Sequence, residues 1–352
     1  MDLIFFVIAI ASLILIHEIG HFIAAKFMKV DIDEFGIGFP PRITRLFTIN
    51  STEYTLNWIP FGGFVRLKGM DDPEIPGGFA AAKPWRRIVV LFAGPLMNIL
   101  VGILIYTIIF IRLGEPIIDQ VTVVEVAQNS PAFSAGLIPG DLILSVNEQA
   151  IDSTDTLREV IYENLGQSIQ LVYARNGKEE TVSMIPRPNP PEGEGAIGII
   201  MDNPRQALSP IKAAFLGTAT VKEFFKMIGT IPARMLAGEI SPDQGRLVGY
   251  KGMYDIFSNY REQDASMPSQ SPAGINTLNF FGTITLSLAM LNLFPLPALD
   301  GGRILFILPE IVLRKRIPVK FEYVVNFIGF SIMILILIYV NIQDFVDPIT
   351  LP

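Results

Sequence analysis

The sequence predicts a polytopic α-helical membrane protein: four transmembrane helices plus a membrane-associated β-hairpin, with one inserted soluble α+β domain. Three observations predict it. Half of the 352 residues are hydrophobic and only 17% are charged, less charge than a soluble chain of this length carries. Four apolar runs each approach the roughly 20 residues that a bilayer requires. Between the second and third runs, short β-branched segments alternate with turn residues, the pattern of a soluble domain.

The first span covers residues 1–27 and contains His17-Glu18-Ile19-Gly20-His21. His17 and His21 are the only two histidines in the chain. Four residues on a helix is a rotation of about 400°, so both rings leave nearly the same face. Two imidazoles at that spacing take two corners of a zinc tetrahedron, and Glu18 on the adjoining face is placed to accept a proton from water. Ionisable groups inside a membrane segment cost about 2.5–3.5 kcal/mol each, and a metal is a natural partner for this group. The N-terminal flank is Asp2 and no small-x-small site follows, so the run reads as a retained span.

Residues 28–87 form a basic loop with Lys29, Arg42, Arg45, Arg66, Lys68, Lys83, Arg86 and Arg87. Residues 301–322 form a second, with Arg303, Arg314, Lys315, Arg316 and Lys320. The 344–352 tail has Asp344 and Asp347 and neither Lys nor Arg. Basic loops stay cytoplasmic, so both termini and the middle region are expected outside. Leu3 to His17 is a rise of about 21 Å in a core of about 30 Å. That depth puts the histidines in the bilayer, nearer its cytoplasmic face.

Within the first loop, residues 53–69 alternate polar and apolar positions, with Gly62-Gly63 as a tight turn. A hairpin follows, and it can dip into the membrane if buried in protein. Its edge would hold an extended peptide. The second span, 88–111, carries Gly94-Pro95 and Asn98. Pro95 predicts a kink, and Asn98 needs a partner in the bundle; helix packing is the simpler role for both.

Residues 115–186 turn soluble. Strands are expected at Val121–Val126, Leu142–Val146, Ile169–Tyr173 and Thr181–Ile185, with helices at Ser130–Leu137 and Asp155–Asn164. The run Ala135-Gly136-Leu137 to Gly140-Asp141-Leu142-Ile143 resembles a PDZ domain as found in bacterial proteases. Residues 187–274 read as a Pro-, Gly- and Glu-rich linker, then amphipathic interfacial helices, with Arg261–Ala273 as a polar loop.

The third span, 275–300, ends in Asn292-Leu-Phe-Pro295-Leu-Pro297-Ala-Leu-Asp300-Gly-Gly. The prolines break the helix, and Asp300 stays level with the histidines. A carboxylate there completes a His17–His21–Asp300 zinc site with its fourth position open. The fourth span is 323–343.

Taken together, the His-Glu-x-x-His span, the Gly-Gly-Phe segment, a single PDZ and the Asn-x-x-Pro-x-Pro-x-Leu-Asp-Gly motif resemble the site-2 protease family. The chain is most similar to the bacterial regulator-of-sigma-E proteases. The resemblance implies an intramembrane zinc endopeptidase with one Zn2+ per chain, held by His17, His21 and Asp300, and Glu18 as catalytic base. It implies that Asn292 contacts substrate or the developing oxyanion, and that the hairpin with Gly62, Gly63 and Phe64 clamps substrate. Implied partners are single-span membrane proteins, such as anti-sigma factors or remnant signal peptides, peptide ends at the PDZ domain, and membrane lipid. The implied location is the bacterial inner membrane. A net charge of −7 gives no sign of a nucleic-acid partner. The absence of cysteine excludes disulfides, thiolate zinc sites and cysteine nucleophiles. The chain departs from the family in having room for one PDZ domain rather than two. It also reads Leu247-Val-Gly249-Tyr250-Lys-Gly252 where many relatives have a Gly-Pro-Val-Gly-like run.

Overall fold

The long apolar runs form helices whose buried stripes face one another and whose remaining surface is apolar and open. The computed structural model describes residues 1–239, 246–266 and 274–348. They divide into two compact units, one of residues 1–109, 210–266 and 274–348, the other of residues 110–209.

In the first unit, α1 (Asp2–Met28) buries Phe6, Ile10, Leu13, His17, Gly20, His21 and Ala24. That is a helical stripe, and the two histidines lie within it. Leu3, Ile4, Phe5, Ile8 and Ile23 on the other face are exposed. A helix apolar all round suits a lipid surround. Next come β1 (Ile32–Ile49), β2 (Thr52–Leu67) and α2 (Pro84–Leu113). The α2 stripe is Val90, Leu91, Gly94, Asn98, Gly102, Tyr106 and Ile109. Pro95 lies inside a helix that continues on both sides of it.

The hairpin differs from the expected one. The reversal is at Asn50-Ser51, both with positive φ (47° and 66°), and residues 53–67 are one arm only. The other arm, 32–49, contains Gly36, Gly38 and Pro40-Pro41, residues that read as breaks. The strand does bend there. Residues 34–37 lie opposite Arg66 to Gly63 on one side and Glu53 to Leu56 on the other, while residues 42–49 pair with Asn57 to Thr52. Gly62-Gly63 is therefore a bend within β2, not the hairpin turn.

The second unit begins as α2 ends and contains β3 (Glu115–Pro116), β4 (Val121–Val126), α3 (Pro131–Ser134), β5 (Leu142–Val146), β6 (Gln149–Ala150), α4 (Thr154–Glu163), β7 (Ile169–Arg175), β8 (Lys178–Met184), β9 (Ile199–Asp202) and β10 (Arg205–Gln206). The main sheet runs β8-β7-β5-β4-β9, with β6 on β5. Val121, Val123, Ile143, Leu157, Ile169 and Leu171 fill its core. This is the PDZ-like domain, and it extends past the expected end at 186. The Pro- and Gly-rich stretch from 187 is a tethered excursion: the Arg187 N–H donates to the Ala196 carbonyl at 2.8 Å, Ala196 and Ile197 enter the core, and β9 pairs with β4. Asp141, fully buried, accepts from Arg175 Nε and Nη2, each at 2.7 Å. Beside that carboxylate the Arg175 guanidinium titrates above its ordinary value.

The chain returns to the first unit as α5 (Pro210–Leu236), α6 (Tyr250–Ser266), α7 (Ile275–Leu293), α8 (Asp300–Leu313) and α9 (Val319–Val346). Helix α6 takes in Arg261–Ser266 from the expected polar loop; the remainder of that loop lies outside the described residues. Phe6 of α1, Phe257 of α6 and Phe280 and Phe281 of α7 form one aromatic cluster. The expected loop at 301–322 is helical over its first part. Ile304, Ile307 and Ile311 of α8 recur at helical spacing, and Ile307 is buried.

Candidate active site

Helices α1 and α2 cross so closely that the site has room for its rings only because residue 94 is glycine. A Cβ on Gly94 would lie 2.4 Å from His21 Nε2 and 2.8 Å from His17 Cε1. Both histidines are buried, and their Nε2 atoms are 3.1 Å apart. Asp300, the first residue of α8, places Oδ2 3.2 Å from each Nε2. The three atoms come from two ends of the sequence and converge on one point.

The donor set fits a metal. Three atoms bound to a tetrahedral zinc at about 2.0–2.1 Å stand roughly 3.3 Å from one another, close to the spacing here. His21 Nδ1–H donates to the Val90 carbonyl at 2.8 Å, which leaves Nε2 with its lone pair. The Asn98 amide is fully buried and lies 3.4 Å from His17 Nδ1, with its Oδ1 unpartnered. An amide's N and O exchange on a half-turn. So turned, Oδ1 accepts the His17 Nδ1–H, and both imidazoles offer Nε2. Asp300 Oδ2 is buried and receives no hydrogen bond. Two imidazole nitrogens and a carboxylate oxygen, each within 3.2 Å of the others, form a donor set that fits a cation.

Glu18, next to His17 in the chain, is bonded to the sheet. The Val65 N–H of β2 donates to Glu18 Oε2 at 3.0 Å. Gly62 and Gly63 bring β2 that close. Gly62 has φ +76°, and a Cβ there would lie 2.5 Å from Ile14 Cγ2; one on Gly63 would lie 2.8 Å from Leu15 Cδ1. The Phe64 ring crosses Gly36, whose Cβ would meet Phe64 Cε1 at 2.3 Å. Asn292 is not brought onto the histidines by any hydrogen bond: its Nδ2 donates to Leu288 O of its own helix at 3.0 Å. Sequence reasoning gave Asn98 a packing role, and the structure puts it on His17. The signal was a fully polar side chain eight apolar residues deep in a span, one turn from Gly94.

Two buried histidines on an apolar helix, met by a carboxylate from a second helix and with a glutamate next in sequence, are the parts of a membrane metalloprotease. The chain belongs to peptidase family M50, whose model matches residues 5–336. A protein described as a putative zinc metalloprotease from Clostridium perfringens is 33% identical over 99% of this chain and 100% of its own. The zinc metalloprotease RasP of Geobacillus kaustophilus is 26% identical, covering 97% of each chain. Among solved structures, the PDZ domain of an SdrC-like protein from Listeria monocytogenes is similar at 26% identity, covering 24% of this chain and 87% of that one, with a TM-score of 0.22. Helices Asp2–Met28, Pro84–Leu113 and Val319–Val346 are long and apolar enough to cross a membrane.

Proposed function

We propose that the protein is an intramembrane zinc endopeptidase that hydrolyses peptide bonds within the transmembrane segments of single-span membrane proteins. The observation that carries this reading is the meeting of Asp300 with His17 and His21, with all ligand atoms within 4.8 Å, the histidines lying on a helix otherwise apolar enough to span the bilayer. His17, His21 and Asp300 would hold one zinc ion. Zinc supplies a Lewis acid that polarises the scissile carbonyl and lowers the pKa of water.

The chain's own residues do the rest. Glu18 takes the proton of the attacking water and returns it to the leaving amine. Val65 N–H orients that carboxylate. A substrate helix shields its own peptide bonds, so it must unwind, and residues 63–67 of β2 offer an edge for the extended strand. Asn292, freed from Leu288 O, would reach substrate. Helix α7, whose buried face includes Thr277, Thr285 and Ala289, serves as a fourth span packed among the others. Basic loops on the cytoplasmic side put both termini and the PDZ-like domain outside a bacterial inner membrane. Among the described residues β9 is the last strand of the main sheet, and its outer edge would take peptide ends.

The test is cleavage of a reporter transmembrane segment by Glu18→Gln. The expected result is loss of turnover with zinc still bound. Wild-type cleavage by that variant would end this reading.

A further inference from the structure

Asp300 hangs from a loop with little regular support. Leu293 ends α7 and Asp300 starts α8, and between them Pro295 and Pro297 have no N–H to give. Ala298 has φ +73°, a conformation that a residue with a β-carbon holds only where its surroundings enforce it.

Two residues of α9 supply that enforcement. Asn326 Oδ1 accepts the Ala298 N–H at 2.9 Å. Gly329, three residues on and so on the same face, sits under the loop: a Cβ there would lie 2.4 Å from Pro297 Cβ and 3.1 Å from Pro297 O. Most of α9 is apolar and exposed, including Val324, Phe327, Phe330 and Leu335. An amide in such a helix is costly unless it is used, and here it is used on the residue two before Asp300.

We propose that Asn326 is a positioning residue for Asp300, with Gly329 leaving the loop the room to sit on α9. The last apolar helix thereby contributes to the metal site without touching it. This rests on the reading that Asp300 holds zinc.

The test compares full-length wild type, Asn326→Leu and Asn326→Asp, purified in detergent. Leu keeps the volume and removes the acceptor; Asp keeps an acceptor. Zinc affinity is read by competition with a chromophoric chelator. Amide exchange at Ala298 is read in metal-free protein. The expected result is a zinc Kd raised about 10- to 100-fold in the Leu variant, faster exchange at Ala298, and near-wild-type values for Asp. Wild-type affinity with unchanged exchange in the Leu variant overturns the proposal. Equal losses in both variants overturn it too, because they report α9 packing rather than the acceptor. A wild type that never binds zinc overturns the metal reading instead; exchange at Ala298 then decides alone whether Asn326 holds the loop.

Discussion

Glu18 and Val65 lie 47 positions apart, and the Val65 backbone N–H reaches the Glu18 carboxylate at 3.0 Å. The strand proposed to pair with substrate is thus bonded directly to the residue proposed as base. Small residues make this closeness possible, and they give the first prediction.

Gly62→Ala forces a β-carbon into a left-handed backbone and against Ile14. Relief by shifting β2 costs on the order of 1–3 kcal/mol and moves Val65 from Glu18. Cleavage of a reporter segment is expected to fall by roughly tenfold or more, with zinc content as in wild type. Equal losses of zinc and cleavage would show that β2 supports the metal cluster rather than the substrate side.

Gly94→Ala acts on the opposite side of the site. Its β-carbon meets both imidazoles, so the rings must turn from Asp300. Zinc affinity is expected to drop about 10- to 100-fold while helix content by circular dichroism is kept. Undiminished zinc binding would mean the rings tolerate displacement that the geometry forbids.

Leu157→Ala tests the PDZ-like domain by itself. The side chain is fully buried in its core, and truncation there costs about 2–5 kcal/mol. Proteolysis within residues 110–209 is expected to accelerate, and zinc content to stay unchanged. A simultaneous loss of zinc would tie the metal site to that domain's folding.

The sequence was most informative where chemistry and periodicity coincide. His17 and His21 share a stripe with Phe6, Ile10 and Leu13, so their common face follows from spacing alone. Asp300 was legible because two prolines end a helix just before it. Long-range pairing was not legible. Gly36, Gly38 and Pro40-Pro41 disguise β1 as a broken run, yet the breaks are where the strand folds back to flank residues 53–56. The one local clue was Asn50-Ser51, a two-residue turn that tolerates positive φ. Similarly, composition marks residues 186–200 as a linker, and only the core places of Ala196 and Ile197 return that segment to the domain. Asn98 announced a need for a partner but not which one, and Asn326 gave no signal, because an amide's partner is set by helices far away in sequence.

The most direct test of the central claim is metal content of the full chain in detergent, wild type against Asp300→Asn. The account predicts one zinc per wild-type chain and a large loss in the variant, because the amide has one neutral oxygen in place of a charged ligand. A wild type that stays metal-free after zinc is offered and washed away, or a variant that keeps its zinc, would contradict it.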